Sequence, residues 1–249
     1  MKRYSLIAVL ALLMVGALAT SAQASAPAFF ECAKLKTGGE YKNSTCTEGG
    51  QHGLGHFELK EGIGTKHAFK GLDGHIELMY PGSEPAEPEY IVDCGTQAGK
   101  PGHVTGELTS TTTVGHVVIT GGNCEAGCTN APKGKVELGP LTGTLGYLDE
   151  ETGKVGIDFT GEGGKPIASF GCAGGEQIVG SMVAQWGSDL NGFEQHALVG
   201  FEGGFESLEG GARDVPTLHM TTTGEEEPIT VKRLMLTLIM PKGIQVRTH

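Results

Sequence analysis

Glycine occupies 42 of the 249 positions and is interleaved with Val, Ile, Leu and Thr throughout. The chain has no Gly-X-Y period, which excludes a collagen triple helix. Apolar residues make up 38% and proline only 11 positions, so wholesale disorder is also excluded. Glycine spread in this way marks tight turns, bulges and close strand crossings, where a positive φ or a missing Cβ is required.

Short runs of period-2 alternation lie between these glycines, and no amphipathic helix of about 12 residues is visible. The densest region runs from Cys94 to Cys172. It contains His103–Thr109, Val114–Thr120, Pro140–Leu148, Val155–Phe159 and Ala168–Cys172. Further strands are predicted within His67–Tyr80, Gln177–Trp186 and Pro216–Thr223. Ile229–Met240 is the longest β-competent run. Leu234, Leu236 and Leu238 share one face, and Met235 and Ile239 keep the other from being cleanly polar, which predicts burial on both faces. The pattern predicts an all-β fold, an antiparallel β-sandwich or a partly closed barrel, stapled by disulfides. Pro81–Pro88 is rich in Pro and Glu and cannot pair in a sheet. It suggests an N-terminal lobe at 25–88 and a main domain at 89–249, or one continuous domain.

Residues 1–24 read as a signal peptide. Lys2 and Arg3 form a basic start, Leu6–Leu18 an apolar stretch, and Ala22-Gln23-Ala24 a small-x-small cleavage pattern. The apolar stretch falls short of the roughly 20 residues of a membrane span, and Leu234–Met240 is shorter still. The expectation is a secreted or cell-surface protein without a span once the leader is removed. A formal net charge of −11 disfavours nucleic acid and anionic lipid as partners.

The six cysteines, Cys32, Cys46, Cys94, Cys124, Cys128 and Cys172, form an even set in an exported chain and predict disulfides. Spacing favours Cys32 with Cys46 around a turn-rich segment, Cys124 with Cys128 around a tight loop, and Cys94 with Cys172 across the central region. A zinc half-site at Cys124 and Cys128 lacks a second close cysteine pair.

No catalytic, cofactor-binding or metal-ligating residue is expected. His52 and His56 are separated by Gly53 and Gly55 and carry no His-Glu-x-x-His pattern. His103 and His116 could face each other across a hairpin, although a solvated strand histidine is the commoner outcome. The acids Asp149-Glu150-Glu151 and Glu225-Glu226-Glu227 read as solvated turns without calcium-loop spacing. Gly187-Ser188-Asp189-Leu190 is not a Gly-x-Ser-x-Gly elbow. Asn43-Ser44-Thr45 matches the N-glycosylation pattern, which is common by chance. A glycosidase-type carboxylate pair needs only spatial closeness, but one Trp and five Tyr offer little to line a sugar cleft.

The central pattern resembles a group of exported, uncharacterised glycine-rich β-proteins from high-GC Gram-positive bacteria. The resemblance rests on Val92-Asp93-Cys94, Gly106-Glu107-Leu108, Val117–Cys124, Cys128-Thr129, Pro140–Leu148, Val155–Phe159 and Phe170-Gly171-Cys172, and covers about residues 90–185. It implies an exported glycine-rich β domain and carries no activity or site residues. The expected function is a non-catalytic binding or structural role toward an extracellular or envelope partner. A secreted hydrolase is the alternative.

Overall fold

The computed structural model describes residues 26–50, 53–62, 67–80, 90–94, 102–126, 134–170, 175–192, 194–201, 208, 218–222 and 225–248. The leader, segment 81–88, His52, Cys128 and Cys172 lie outside these residues.

Strands β1 (Ala28–Gly39) and β2 (Gly55–Glu61) form an N-terminal hairpin, followed by β3 (His67–Met79) and β4 (Tyr90–Cys94). The central region supplies β5 (Gly102–Leu108), β6 (Thr113–Gly121), β7 (Cys124–Ala126), β8 (Val136–Asp149) and β9 (Lys154–Gly161). A 3-10 turn at Glu162–Gly164 leads to β10 (Ala168–Ser169), β11 (Gln177–Val179), β12 (Ser181–Trp186) and β13 (Glu194–Gly200). The chain ends in β14 (His219–Thr222), β15 (Glu225–Pro228) and β16 (Thr230–Arg247).

The fold is all-β, and the architecture is a closed barrel rather than a sandwich. β3, β5, β6, β8, β9, β12, β13 and β16 pair antiparallel in that order, and β16 returns to pair with β3. Ring order therefore equals chain order, giving an up-and-down barrel of eight strands. Closure removes the open edges that so many short hairpins would otherwise present. β3 comes from the 25–88 segment, and its pairing with β5 and β16 places it in one core with the strands of 89–249.

The two seam strands extend beyond the ring. The far end of β16 carries β1 and then β2, and the far end of β3 carries β4 and then β7. β10, β11, β14 and β15 form a separate four-stranded sheet, whose Ile178 and Met220 join the same apolar cluster as the barrel.

Alternation fills the barrel interior with side chains. Phe69, Val117, Ile157 and Phe159 are buried. A Cβ on Gly106 would lie 2.5 Å from the Phe69 ring, and one on Gly143 would meet Ile157, Val114 and Phe159 within 3 Å. These two glycines give the aromatic rings their space, and the inside of the barrel is a packed core.

Two sequence expectations are corrected here. Gln177–Trp186 is not one strand. Gly180 adopts φ 105°, and the chain bends there from β11 in the small sheet to β12 in the barrel. The last strand is not buried on both faces: Leu234, Leu236, Leu238 and Met240 are buried, whereas Met235 is 38% exposed. Its apolar length is used lengthwise, because β16 pairs with β3, β13 and β1 in turn.

The sulfur chemistry is partly as expected. Cys32 is bonded to Cys46. The expected Cys94–Cys172 and Cys124–Cys128 pairs are replaced by Cys94–Cys124. The reason is β7, a strand too short to stand out in the sequence. Asn123 takes φ 52° and turns the chain back, so that β7 pairs with β4 and sets Cys124 directly opposite Cys94. Gly121 makes room for the bridge, since a Cβ there would lie 2.5 Å from the Cys94 sulfur.

Candidate functional site

Where side chains of neighbouring elements coincide, three histidines meet carboxylates. His67 Nε2 lies 2.8 Å from Glu31 Oε2, joining the start of β3 to β1. His116 Nδ1 lies 2.9 Å from Glu162 Oε1, and its Nε2 lies 3.4 Å from Glu107 Oε1. His116 is 61% exposed in its side chain and sits at φ 50°, in a bulge where the β6 register shifts against β8. Bulges of this kind re-aim a side chain.

The third group is the most convergent. His75 Nε2 lies 2.9 Å from Asp93 Oδ1 and 3.3 Å from Glu77 Oε1. Among the described residues this is the set of three His, Cys, Asp or Glu side chains whose ligand atoms all fall within 4.8 Å of one another. All three side chains are half-buried. His75 and Glu77 are two apart on β3 and so point to the same side. Asp93 stands directly across from Glu77 on β4. Their neighbours Ile76, Leu78, Val92 and Cys94 point the other way and are buried. The register continues from Asp93 to Glu125 on β7, and on the other side from Glu77 to Arg233 on β16. The Cys94–Cys124 bridge fixes β4 to β7 at the adjoining position.

None of these three residues was a sequence candidate. Glu77 and Asp93 are 16 apart with the Pro-rich segment between them, and only the β3–β4 register brings them together. The residues that were candidates go elsewhere. His103 pairs with Thr120, not His116. His56 borders an open groove of the β1–β2 hairpin with Lys34, Leu35, Lys36 and Phe57. Glu225–Glu227 is not a turn but most of β15, an exposed edge strand paired with β14. Ser188 Oγ accepts a hydrogen bond from the Leu198 backbone N–H at 2.8 Å, holding the β12–β13 connection. Asn43 Oδ1 accepts the N–H groups of Thr47 and Glu48, and its Nδ2 donates to Thr47 Oγ1. The amide thus braces the loop that Cys32 and Cys46 close.

Asp149 does close a turn, between β8 and β9. Its Oδ1 accepts the Thr152 backbone N–H at 2.9 Å. Hydrogen bonds from the Thr152 side chain and then its backbone hold the Asp149 pKa below the usual aspartate value, because they favour the charged form. A lowered carboxylate pKa stabilises the turn above the unfolded-state value and loses that contribution as pH falls through the folded value. In a carboxyl-detected NMR titration, Asp149 is expected to titrate below an ordinary aspartate, and Thr152→Ala should raise its midpoint. An unchanged midpoint in that variant would refute this origin.

A second outward feature is apolar. Leu198 on β13, Thr237 on β16 and Leu72 on β3 lie in one cross-strand row. Leu72 is 52% exposed and Leu198 43% exposed, and Met235 follows two residues along β16. These account for three of the four exposed large hydrophobic residues among those described. The next row is His196, Ile239 and Lys70.

Fold and site together define a closed, disulfide-stapled up-and-down β-barrel with a mixed histidine–carboxylate cluster and an apolar row on its outer surface. No family model, no curated protein and no solved structure matches the chain. Among the described residues, no helix is long and apolar enough to cross a membrane.

Proposed function

We propose that the chain is an exported, non-catalytic protein of the extracellular space or cell surface, and that its barrel is a scaffold for a protein-docking face on β13, β16 and β3. The row Leu198–Thr237–Leu72 carries this reading. Single exposed apolar side chains are ordinary on a protein surface, but a contiguous group marks an interaction site. The core-filled interior argues that binding occurs on the outside of the barrel. Export is supported by the leader pattern of residues 1–24 and by bridged cysteines, which persist in oxidising compartments.

The occupant is a folded protein with an apolar, acid-rimmed surface. The chain carries a net charge of −11, yet Lys70, beside His196, flanks one end of the apolar row. That local reversal of sign favours an acidic rim on the partner. A secreted hydrolase draws less support. The exposed large hydrophobics of the described residues include no aromatic ring.

A photo-crosslinker at position 235 in producing cells should yield a discrete adduct with another protein. Excess purified wild-type protein should displace it, and the folded double variant Leu72→Glu/Leu198→Glu should not. Absence of a displaceable adduct overturns the reading. Light scattering tests the other occupant. A wild-type dimer that the double variant dissolves assigns the face to a second copy and rejects a foreign partner.

A further inference from the structure

The geometry points to a binding site for a first-row divalent transition metal, of the zinc class, at His75, Glu77 and Asp93. This site is separate from the proposed docking face and does not depend on it. One imidazole nitrogen and two carboxylate oxygens lie within 4.8 Å of one another, so a modest adjustment would place an ion between them. The mixed nitrogen and oxygen set selects the metal class, because calcium and magnesium take oxygen ligands while imidazole suits zinc and its neighbours. Three protein ligands leave a coordination position for water or for a group from another molecule, as in open zinc sites.

Two features separate this cluster from a chance meeting of surface charges. The first is charge opposition. Glu77 and Asp93 are direct cross-strand partners. Like charges directly opposite one another in a sheet are destabilising. Arg233, the neighbour of Glu77 on β16, is one cation beside the two opposed acids. A divalent ion between Glu77 and Asp93 relieves the opposition that remains. The second is rigidity. β3 is held by β16 on one side and by β4 on the other, and β4 is bonded to β7 through Cys94 and Cys124. The ligands therefore stand on strands paired on both sides, with His75 at a shift in the β3–β16 register, and this cross-braced backbone lowers the entropy lost on binding. The His116 group is more solvated: its imidazole is 61% exposed, against 26% for His75.

Calorimetric titration of the metal-free protein with zinc tests the assignment. One site per chain is expected, and His75→Ala and Asp93→Asn should each weaken it by at least about tenfold. His116→Ala should bind as the wild type does. Zinc-soaked wild-type crystals should show an anomalous peak bounded by His75, Glu77 and Asp93, a readout that stands even where a variant fails to fold. No zinc binding by the wild type, a peak elsewhere, wild-type affinity in His75→Ala, or an equal loss in His116→Ala overturns the site.

Discussion

Replacing Gly71 with alanine is expected to lower the melting temperature by about 6–12 °C, from an overpacking cost near 3 kcal/mol. Gly71 lies on β3 at the seam, paired with Leu238 of β16. A Cβ there would collide with the Thr237 carbonyl oxygen and press on Val104 Cγ1. The first obstacle is main chain and cannot rotate away. Relief requires β3 and β16 to separate, and their pairing is what closes the ring. Leu72→Ala, one residue along, removes a larger group from a half-exposed position and should stay within about 0.5 kcal/mol of wild type. Scanning calorimetry of the two variants decides the matter. Equal melting temperatures would show that the seam is not a tight crossing.

Removing the second bridge should have a comparable effect. The Cys94–Cys124 link closes a sequence separation of 30 residues, for which chain entropy gives about 3.5 kcal/mol. The Cys94→Ala/Cys124→Ala variant should melt about 7–14 °C lower than wild type. The Cys32–Cys46 link spans 14 residues, and its loss should cost about 3 kcal/mol. Peptide mapping without reductant should recover both links, together with a third joining Cys128 to Cys172, and no thiol should react before reduction. One free-thiol equivalent would reject three bridges, and a Cys124–Cys128 peptide would reject the register of β4 and β7.

The fold class was legible because its signal is local. Alternation in Val114–Thr120, Pro140–Leu148 and Val155–Phe159, punctuated by glycine, identifies strands and turns before any packing is known. The Cys32–Cys46 bridge was legible for the same reason, since both cysteines flank one hairpin loop. Closure was not legible, because nothing in Leu234–Met240 names Gly71–Ile76 as its partner. The second bridge was missed because three residues, Cys124–Ala126, form a strand below the length at which alternation can be recognised. The histidine–carboxylate cluster was hidden by the same non-locality. His75 and Glu77 look like solvated strand residues, and their meaning depends on Asp93, which register alone sets opposite Glu77. Residues that are conspicuous in the sequence, such as Asp149-Glu150-Glu151 and Glu225-Glu226-Glu227, are conspicuous because they are solvated.

A ring whose neighbours follow one another along the chain has a consequence for its biogenesis. The β5–β6, β8–β9 and β12–β13 hairpins can each form as soon as the second strand leaves the ribosome, since the loops that join them are short and cheap to close. The final clasp is different: β16 begins at Thr230 and must find β3, which ends at Met79. The barrel therefore stays an open sheet, with β3 and β13 as unpaired edges, until β16 has been made.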